Sequence, residues 1–296
     1  MSQRPLAAIR SFLFTPANHP RRVEKVFQVG ADAVILDLED AVAVAEKLAT
    51  RAKVVAAFQS SEHRCRHYVR INSHDTEFCR DDLMTTVGPW LDGVVVPKVE
   101  SVEALREVDH WLSEAEQQSG LTVGSLDLLP IIETARGIEE ANALASAGTR
   151  ISRFAFGGGD YTLDLDYLWT ADEAVLSYAR SRLSHASRIG NLLPPVDTVV
   201  LQIKDAERFE ASARRGRAFG FSGKLCIHPD QVPITNAVYT PSAEEIAHAT
   251  AVVDAFEKAE REGLASIQLD GYFIDYPIVY KSQRILAAAA MLDEAC

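Results

Sequence analysis

The sequence predicts an α/β protein, a (β/α)8 TIM barrel with a C-terminal helical extension. Three observations carry this. Eight short apolar runs alternate with longer amphipathic stretches, the mark of a repeating βα unit. Such alternation fits an open, doubly wound sheet as well, but a count of eight favours closure, and no Gly-x-Gly-x-x-Gly follows the first run. Finally, residues 241–296 remain after the eighth unit, more than a closed barrel absorbs.

The expected strands are Ser11–Phe14, Ala33–Leu38, Tyr68–Ile71, Gly93–Val96, Leu128–Ile132, Phe154–Phe156, Thr198–Leu201 and Leu225–Ile227. Several are rich in Val and Ile, as strands covered on both faces are. Pro20 suits the first turn of a helix over Arg21–Val29. Ala and Val recur at helical spacing through Ala43–Gln59. Ser101 caps the next helix; Ala104 denies it a capping box, but Glu103 suits its first turn. Gly148, Gly190 and Gly220 end helices over Gly137–Ala147, Ala171–Ile189 and Glu207–Phe219. A long charged helix over Ser242–Glu262, an apolar patch over Gly271–Tyr276 and a final helix from Pro277 to Leu292 complete the chain. The expected division is a catalytic barrel over 1–240 and an extension over 241–296, packed on the barrel and on a neighbouring subunit.

Composition narrows the function. With 47% hydrophobic and 24% charged residues the chain has the make-up of a globular protein, and too much apolar surface to stay disordered. A formal charge of −12 repels phosphate backbones, so nucleic acid is excluded as the main partner, while a local basic patch for a phosphorylated ligand is not. Cys65, Cys79, Cys226 and Cys296 form no C-x-x-C pair and read as reduced thiols of a cytoplasmic protein. No apolar run suits a signal peptide or a membrane span, so neither is expected.

A barrel of this kind carries its chemistry at the carboxyl ends of its strands. Polar groups gather there: Thr15-Pro16-Ala17-Asn18, Asp37-Leu38-Glu39-Asp40, Arg70-Ile71-Asn72, Pro97-Lys98-Val99-Glu100, Glu133, Gly159-Asp160 and His228-Pro229. Glu133 and Asp160 end adjacent strands. Two carboxylates facing one mouth repel unless a cation joins them, and together with waters they make an ordinary magnesium site. Arg70 can hold a carboxylate in two parallel hydrogen bonds, pair with the acids of Asp37–Asp40, or do both. Asp37, Glu39 and Asp40 orient Arg70 or hold metal-bound water. Lys98 is a weaker candidate for a Schiff base, and His228 for a proton donor. Gly157-Gly158-Gly159 leads to Asp160 instead of Lys-Ser/Thr, so it is no Walker loop.

The segments RSFLFTPANHP, GADAVILDLEDAV, YVRIN, VVVPKVES, PIIETARGI, FAFGGGDYTLDLD, GKLCIHPDQV and GYFIDYPIV stand in an order that resembles the citrate lyase β subunit and its acyl-CoA lyase relatives, within the HpcH/HpaI aldolase superfamily. The resemblance spans nearly the whole chain. It implies Mg2+ held by Glu133 and Asp160, and a substrate oxygen bound by Arg70, with Pro16 and Glu133 also at the substrate. It implies an acid/base, Asp275 in FIDYP, that enters a neighbouring subunit's site, within a homotrimer or a hexamer of trimers. The implied reaction is cleavage of a β-hydroxyacyl thioester of citryl-, malyl- or citramalyl-CoA type into a keto acid and an acyl-CoA. The alternatives are an aldolase acting on a free pyruvate-derived hydroxyacid and a complex subunit acting on an acyl-carrier thioester. Arg21, Arg22 and Lys25 are candidates to meet the phosphates of CoA. The chain departs from many relatives in having Pro16-Ala17 for Pro-Gly and Gly158-Gly159 for Ala-Glu.

Overall fold

The computed structural model describes residues 6–294, so Cys296 lies outside the described residues. The contacts divide the described residues into two compact units, Ile9–Ala237 and a second formed by residues 6–8 with residues 238–294.

The first unit is a closed barrel of eight parallel strands: β1 (Ser11–Pro16), β2 (Ala33–Asp37), β3 (Arg66–Arg70), β4 (Gly93–Val96), β5 (Asp127–Ile132), β6 (Ala155–Phe156), β7 (Val196–Asp197) and β8 (Gly223–Cys226). β1 pairs with both β2 and β8, which closes the ring. Between the strands run α1 (Pro20–Val26), α2 (Lys47–Ser60), α3 (Cys79–Thr86), α4 (Val102–Gln118), α5 (Ala135–Ala145), α6 (Gly158–Asp164), α7 (Ser177–Ile189) and α8 (Ala206–Ala218), with α9 (Gln231–Val238) after β8. The strand residues are buried because helices cover one face and the barrel interior fills the other. Phe12 meets Tyr68 edge to face at 5.7 Å, and the Tyr68 hydroxyl donates to Asp127 at 2.8 Å. Gly93 makes this possible: a Cβ there would lie 2.8 Å from Tyr68 Cδ1 and 2.9 Å from the Asp127 carbonyl.

Local signals set most boundaries. Ser101 Oγ accepts from Ala104 N at 3.2 Å and starts α4. Gly148 and Gly220 take φ of +72° and +87° just beyond α5 and α8, conformations that a Cβ disfavours. Four expectations need correction. The seventh strand is Val196–Asp197, not Thr198–Leu201. The Asp197 carboxylate, an unlikely strand residue on propensity, is buried against Lys224 Nζ and the Arg180 guanidinium, each 3.0 Å away, whereas Leu201 is 59% exposed. The helix over Ala171–Ile189 starts only at Ser177, after a 3-10 turn over Ala174–Leu176. α3 and α6 stand where the sequence predicts no helix, one for lack of apolar periodicity and the other because its first residues are glycines.

In the second unit Ser242 and Glu245 form a reciprocal capping box that opens α10 (Ala243–Arg261). The apolar patch is a hairpin, β9 (Ser266–Leu269) antiparallel to β10 (Tyr272–Asp275), and leads into α11 (Tyr276–Glu294). Its turn is Asp270-Gly271, both at positive φ, the pairing a two-residue hairpin loop needs. Val252, Phe256, Ile274 and Val279 form its core. Among the described residues, no helix is long and apolar enough to cross a membrane.

Candidate active site

Parallel pairing builds the site row by row. Pro16, Asp37 and Arg70 are successive register partners across β1, β2 and β3, so these side chains leave the barrel at one level. Arg70 Nε and Nη2 donate to the two Asp37 oxygens at 2.7 and 2.6 Å, a bidentate fork. Arg70 Nη1 lies 2.9 Å from Glu39 Oε2, and the guanidinium stands 4.9 Å over the Phe14 ring. Burial opposes the charge on Arg70, but Asp37 and then Glu39 more than offset it and hold its pKa above the ordinary value. The fork uses two of five N–H donors, so Arg70 keeps others for a ligand.

Glu133 follows β5 and is only 3% exposed. It is not a helix cap, because Thr134 Oγ1 takes that role by accepting from Gly137 N at 3.1 Å. Glu133 Oε1 accepts from Lys98 N at 2.8 Å, and no protein donor reaches Oε2 among the described residues. Burial, then the charge of Asp160, pushes the Glu133 pKa up to about 8, with Arg70 pulling the other way. Glu133, Asp160 and Arg70 therefore share one field. Asp160 sits in the first turn of α6, which Gly158 N anchors by donating to Thr198 Oγ1 at 2.7 Å and Asp164 ties to α5 by accepting from Ala135 N at 2.7 Å. Asp160 makes no hydrogen bond from its own side chain among the described residues.

Asp40 is exposed at the rim, and Lys98 Nζ reaches it at 3.4 Å and Glu39 Oε1 at 2.6 Å. Burial lowers the Lys98 pKa, but the hydrogen bond and charge of Glu39, with Asp40 and Asp160 behind them, raise it above its ordinary value. The same ion pairs turn the Lys98 ammonium toward Glu39 and Asp40. A ≈480 Å³ cavity runs from Lys98 and Asp160 to Ser101, Thr134 and His74. His228 is half-exposed, and its Nδ1 accepts from Asp230 N at 3.3 Å. Arg21, Arg22 and Lys25 are exposed on α1. Asp275 closes β10 in the second unit. Among the described residues, no three His, Cys, Asp or Glu side chains form a metal cage by themselves.

Sequence reasoning missed Lys47. It is buried in the first turn of α2, and its ammonium donates to the carbonyls of Leu38 at 2.9 Å and Glu39 at 2.7 Å and to Asn72 Oδ1 at 2.6 Å. It thus joins the strand exits that carry Glu39 and Arg70. Nothing in the local sequence separates it from a surface lysine, because its partners lie up to 25 residues away.

The family model of HpcH/HpaI aldolase/citrate lyase matches residues 10–229. Among curated relatives, the citrate lyase subunit beta of Leuconostoc mesenteroides subsp. cremoris is 34% identical over 281 residues, covering 95% of this chain and 93% of that one. A (3S)-malyl-CoA thioesterase of Cereibacter sphaeroides is 34% identical over 282 residues, covering 95% and 94%. Among solved structures, CitE from Mycobacterium tuberculosis in complex with magnesium, acetoacetate and coenzyme A aligns with a TM-score of 0.78 at 30% identity, covering 96% of this chain and all of that one. The matching family model, the extent of the shared sequence and the barrel with its charged mouth agree: the chain belongs to the HpcH/HpaI aldolase/citrate lyase family and is a lyase.

Proposed function

We propose that the protein is a Mg2+-dependent carbon–carbon lyase that cleaves a β-hydroxyacyl-CoA thioester of citryl, malyl or citramalyl type into a keto acid and an acyl-CoA. The carrying observation is the Glu133–Asp160 pair beside Arg70. Ionised, Asp37, Glu39, Asp40, Glu133 and Asp160 carry five negative charges against three on Arg70, Lys98 and Lys47. A divalent cation neutralises the two left over, and it removes the repulsion that raises Glu133. Carboxylates suit magnesium, which keeps waters in its remaining positions. Relatives crystallised with magnesium, and one of them with coenzyme A, support the same reading.

Glu133 and Asp160 would hold the metal. When bound, it supplies Lewis acidity to the substrate's hydroxyl and carboxylate oxygens. Arg70, with donors left over from Asp37, binds the keto-acid end and neutralises the charge that its oxygen carries once the hydroxyl proton has left, charge that passes to the thioester enolate as the carbon–carbon bond breaks. Pro16, level with Asp37 and Arg70 in the strand register, would meet the substrate beside them. Asp275, as the general acid, delivers a proton to the carbon of the departing thioester enolate. We assign it to a neighbouring copy's site. The second unit would then serve the next subunit of a trimer or hexamer. Tyr272 and Phe273 beside it are 70% and 68% exposed, as residues awaiting a partner surface are. The free thiols Cys65, Cys79 and Cys226 suit the reducing cytoplasm.

The test is a panel of citryl-, malyl-, methylmalyl- and citramalyl-CoA and the free acids, with Mg2+ or EDTA, read as keto acid formed. Metal-dependent cleavage of a thioester, slowed at least 100-fold by Asp275→Asn, is the expected result. Cleavage of free acids alone, or turnover in EDTA, rejects the proposal. The thioesterase relatives favour one second reading, hydrolysis of the thioester; it releases free CoA without keto acid in the same assay.

A further inference from the structure

Lys98, at the rim of this site, takes a left-handed backbone, at φ +53°. It follows β4 through Pro97, and Ser101 caps α4 three residues on. The left-handed turn aims the Lys98 N–H at Glu133 Oε1, 2.8 Å away, while Val99 N continues the barrel pairing to Ile131 O at 3.3 Å. The turn is wedged further along as well: a Cβ on Gly137 would lie 2.7 Å from the Val99 carbonyl. The ammonium of the same residue turns to Glu39 and Asp40. One residue thus does two separable things.

We propose that Lys98 is the positioning residue of the cation site, its main-chain N–H locking Glu133 with Oε2 toward Asp160 while its ammonium keeps Glu39 and Asp40 from competing for the ion. This rests on the metal reading of Glu133 and Asp160 and adds what sets their affinity. The two roles have opposite signs. Loss of the ammonium leaves more negative charge near the site and tightens binding of a divalent cation. Loss of the left-handed backbone swings the N–H off Glu133 and weakens it. A β-branched residue is a genuine outlier in this conformation, an unbranched one is tolerated less reluctantly, and glycine adopts it freely.

Mn2+ is titrated into the full-length protein, followed by electron paramagnetic resonance and calorimetry with no substrate present. Lys98→Met and Lys98→Gly are expected to bind as tightly as the wild type or up to tenfold tighter. Lys98→Val, which loses the same charge, is expected to bind at least fivefold more weakly than Lys98→Met. If Lys98→Val does not fold, Gly137→Ala presses on the Val99 carbonyl of the same turn while keeping the ammonium, and binding at least threefold weaker than wild type is expected. Equal affinity for Lys98→Val and Lys98→Met, or wild-type affinity for Gly137→Ala where the valine variant is unfolded, overturns the proposal. A wild-type protein that binds no Mn2+ overturns the underlying metal reading, and the proposal with it.

Discussion

Gly157→Ala is the most exacting test of the site's geometry. The residue precedes α6 with φ −100°, a value open to alanine, so the substitution brings no backbone penalty of its own. What it brings is a methyl 2.5 Å from Glu133 Cβ, 2.9 Å from Ile131 Cγ2, and closer still to Glu133 Oε2. The carboxylate end can swing aside, but Cβ moves only with β5, and Gly157 N is itself held to Ile132 O at 3.1 Å. Ordinary contact begins near 3.4 Å, so Glu133 must retreat by about 1 Å. Overpacking of this kind costs about 1–3 kcal/mol, read as a lowered Tm in a thermal scan. A displacement of about 1 Å in a positioned catalytic group costs roughly 100-fold in kcat/KM. Mn2+ affinity should fall with it. Gly159→Ala is the matched control, since a Cβ there meets nothing within 4 Å and the fold should be undisturbed. A Gly157→Ala protein with wild-type Mn2+ affinity and wild-type kcat/KM would refute the cradle around Glu133.

Three further outcomes follow from buried charge. Arg70→Ala leaves Asp37 and Glu39 buried without their guanidinium; a loss of about 3–5 kcal/mol in urea unfolding is expected together with lost turnover, and Arg70→Lys should restore neither fully, because an ammonium cannot fork. Asp197→Ala takes the carboxylate from Lys224 and leaves Arg180 only Glu173, both cations being fully buried, and should destabilise by a similar amount, about 3–5 kcal/mol, with little effect on Mn2+ affinity per folded molecule. Burial, then the charge of the stacked His63 ring, pushes His67 from 6.5 down to about 4. The unfolded chain therefore takes this proton at higher pH than the folded one. The stability tied to His67 is intact above pH 6.5 and is lost as pH falls toward 4, by about 3 kcal/mol. Urea midpoints across that range should fall in the wild type and fall less in His67→Gln; parallel curves would remove His67 as the cause.

Much of this protein was decided within a few residues at a time. Seven apolar runs spaced by amphipathic stretches mark strands of the βα repeat, Ser101 starts its helix with its own hydroxyl, and Gly148 and Gly220 stop theirs, because apolar periodicity and capping are satisfied over three or four residues. The acids and the arginine at the strand ends were legible for the same reason, since the carboxyl end of a barrel strand is where the chain leaves the core. Closure decided the rest. β7 includes Asp197 only because α7 and β8 bring Arg180 and Lys224 to it. Lys47 is buried only because β2 and β3 present carbonyls and Asn72 above it. Glu133 meets Lys98 across 35 residues, and Lys98 meets Glu39 across 59. Charges that far apart in the chain have no shared local pattern. Their pairing is set by which strands stand side by side once the ring has closed, and the low-dielectric interior then makes each pairing costly to break.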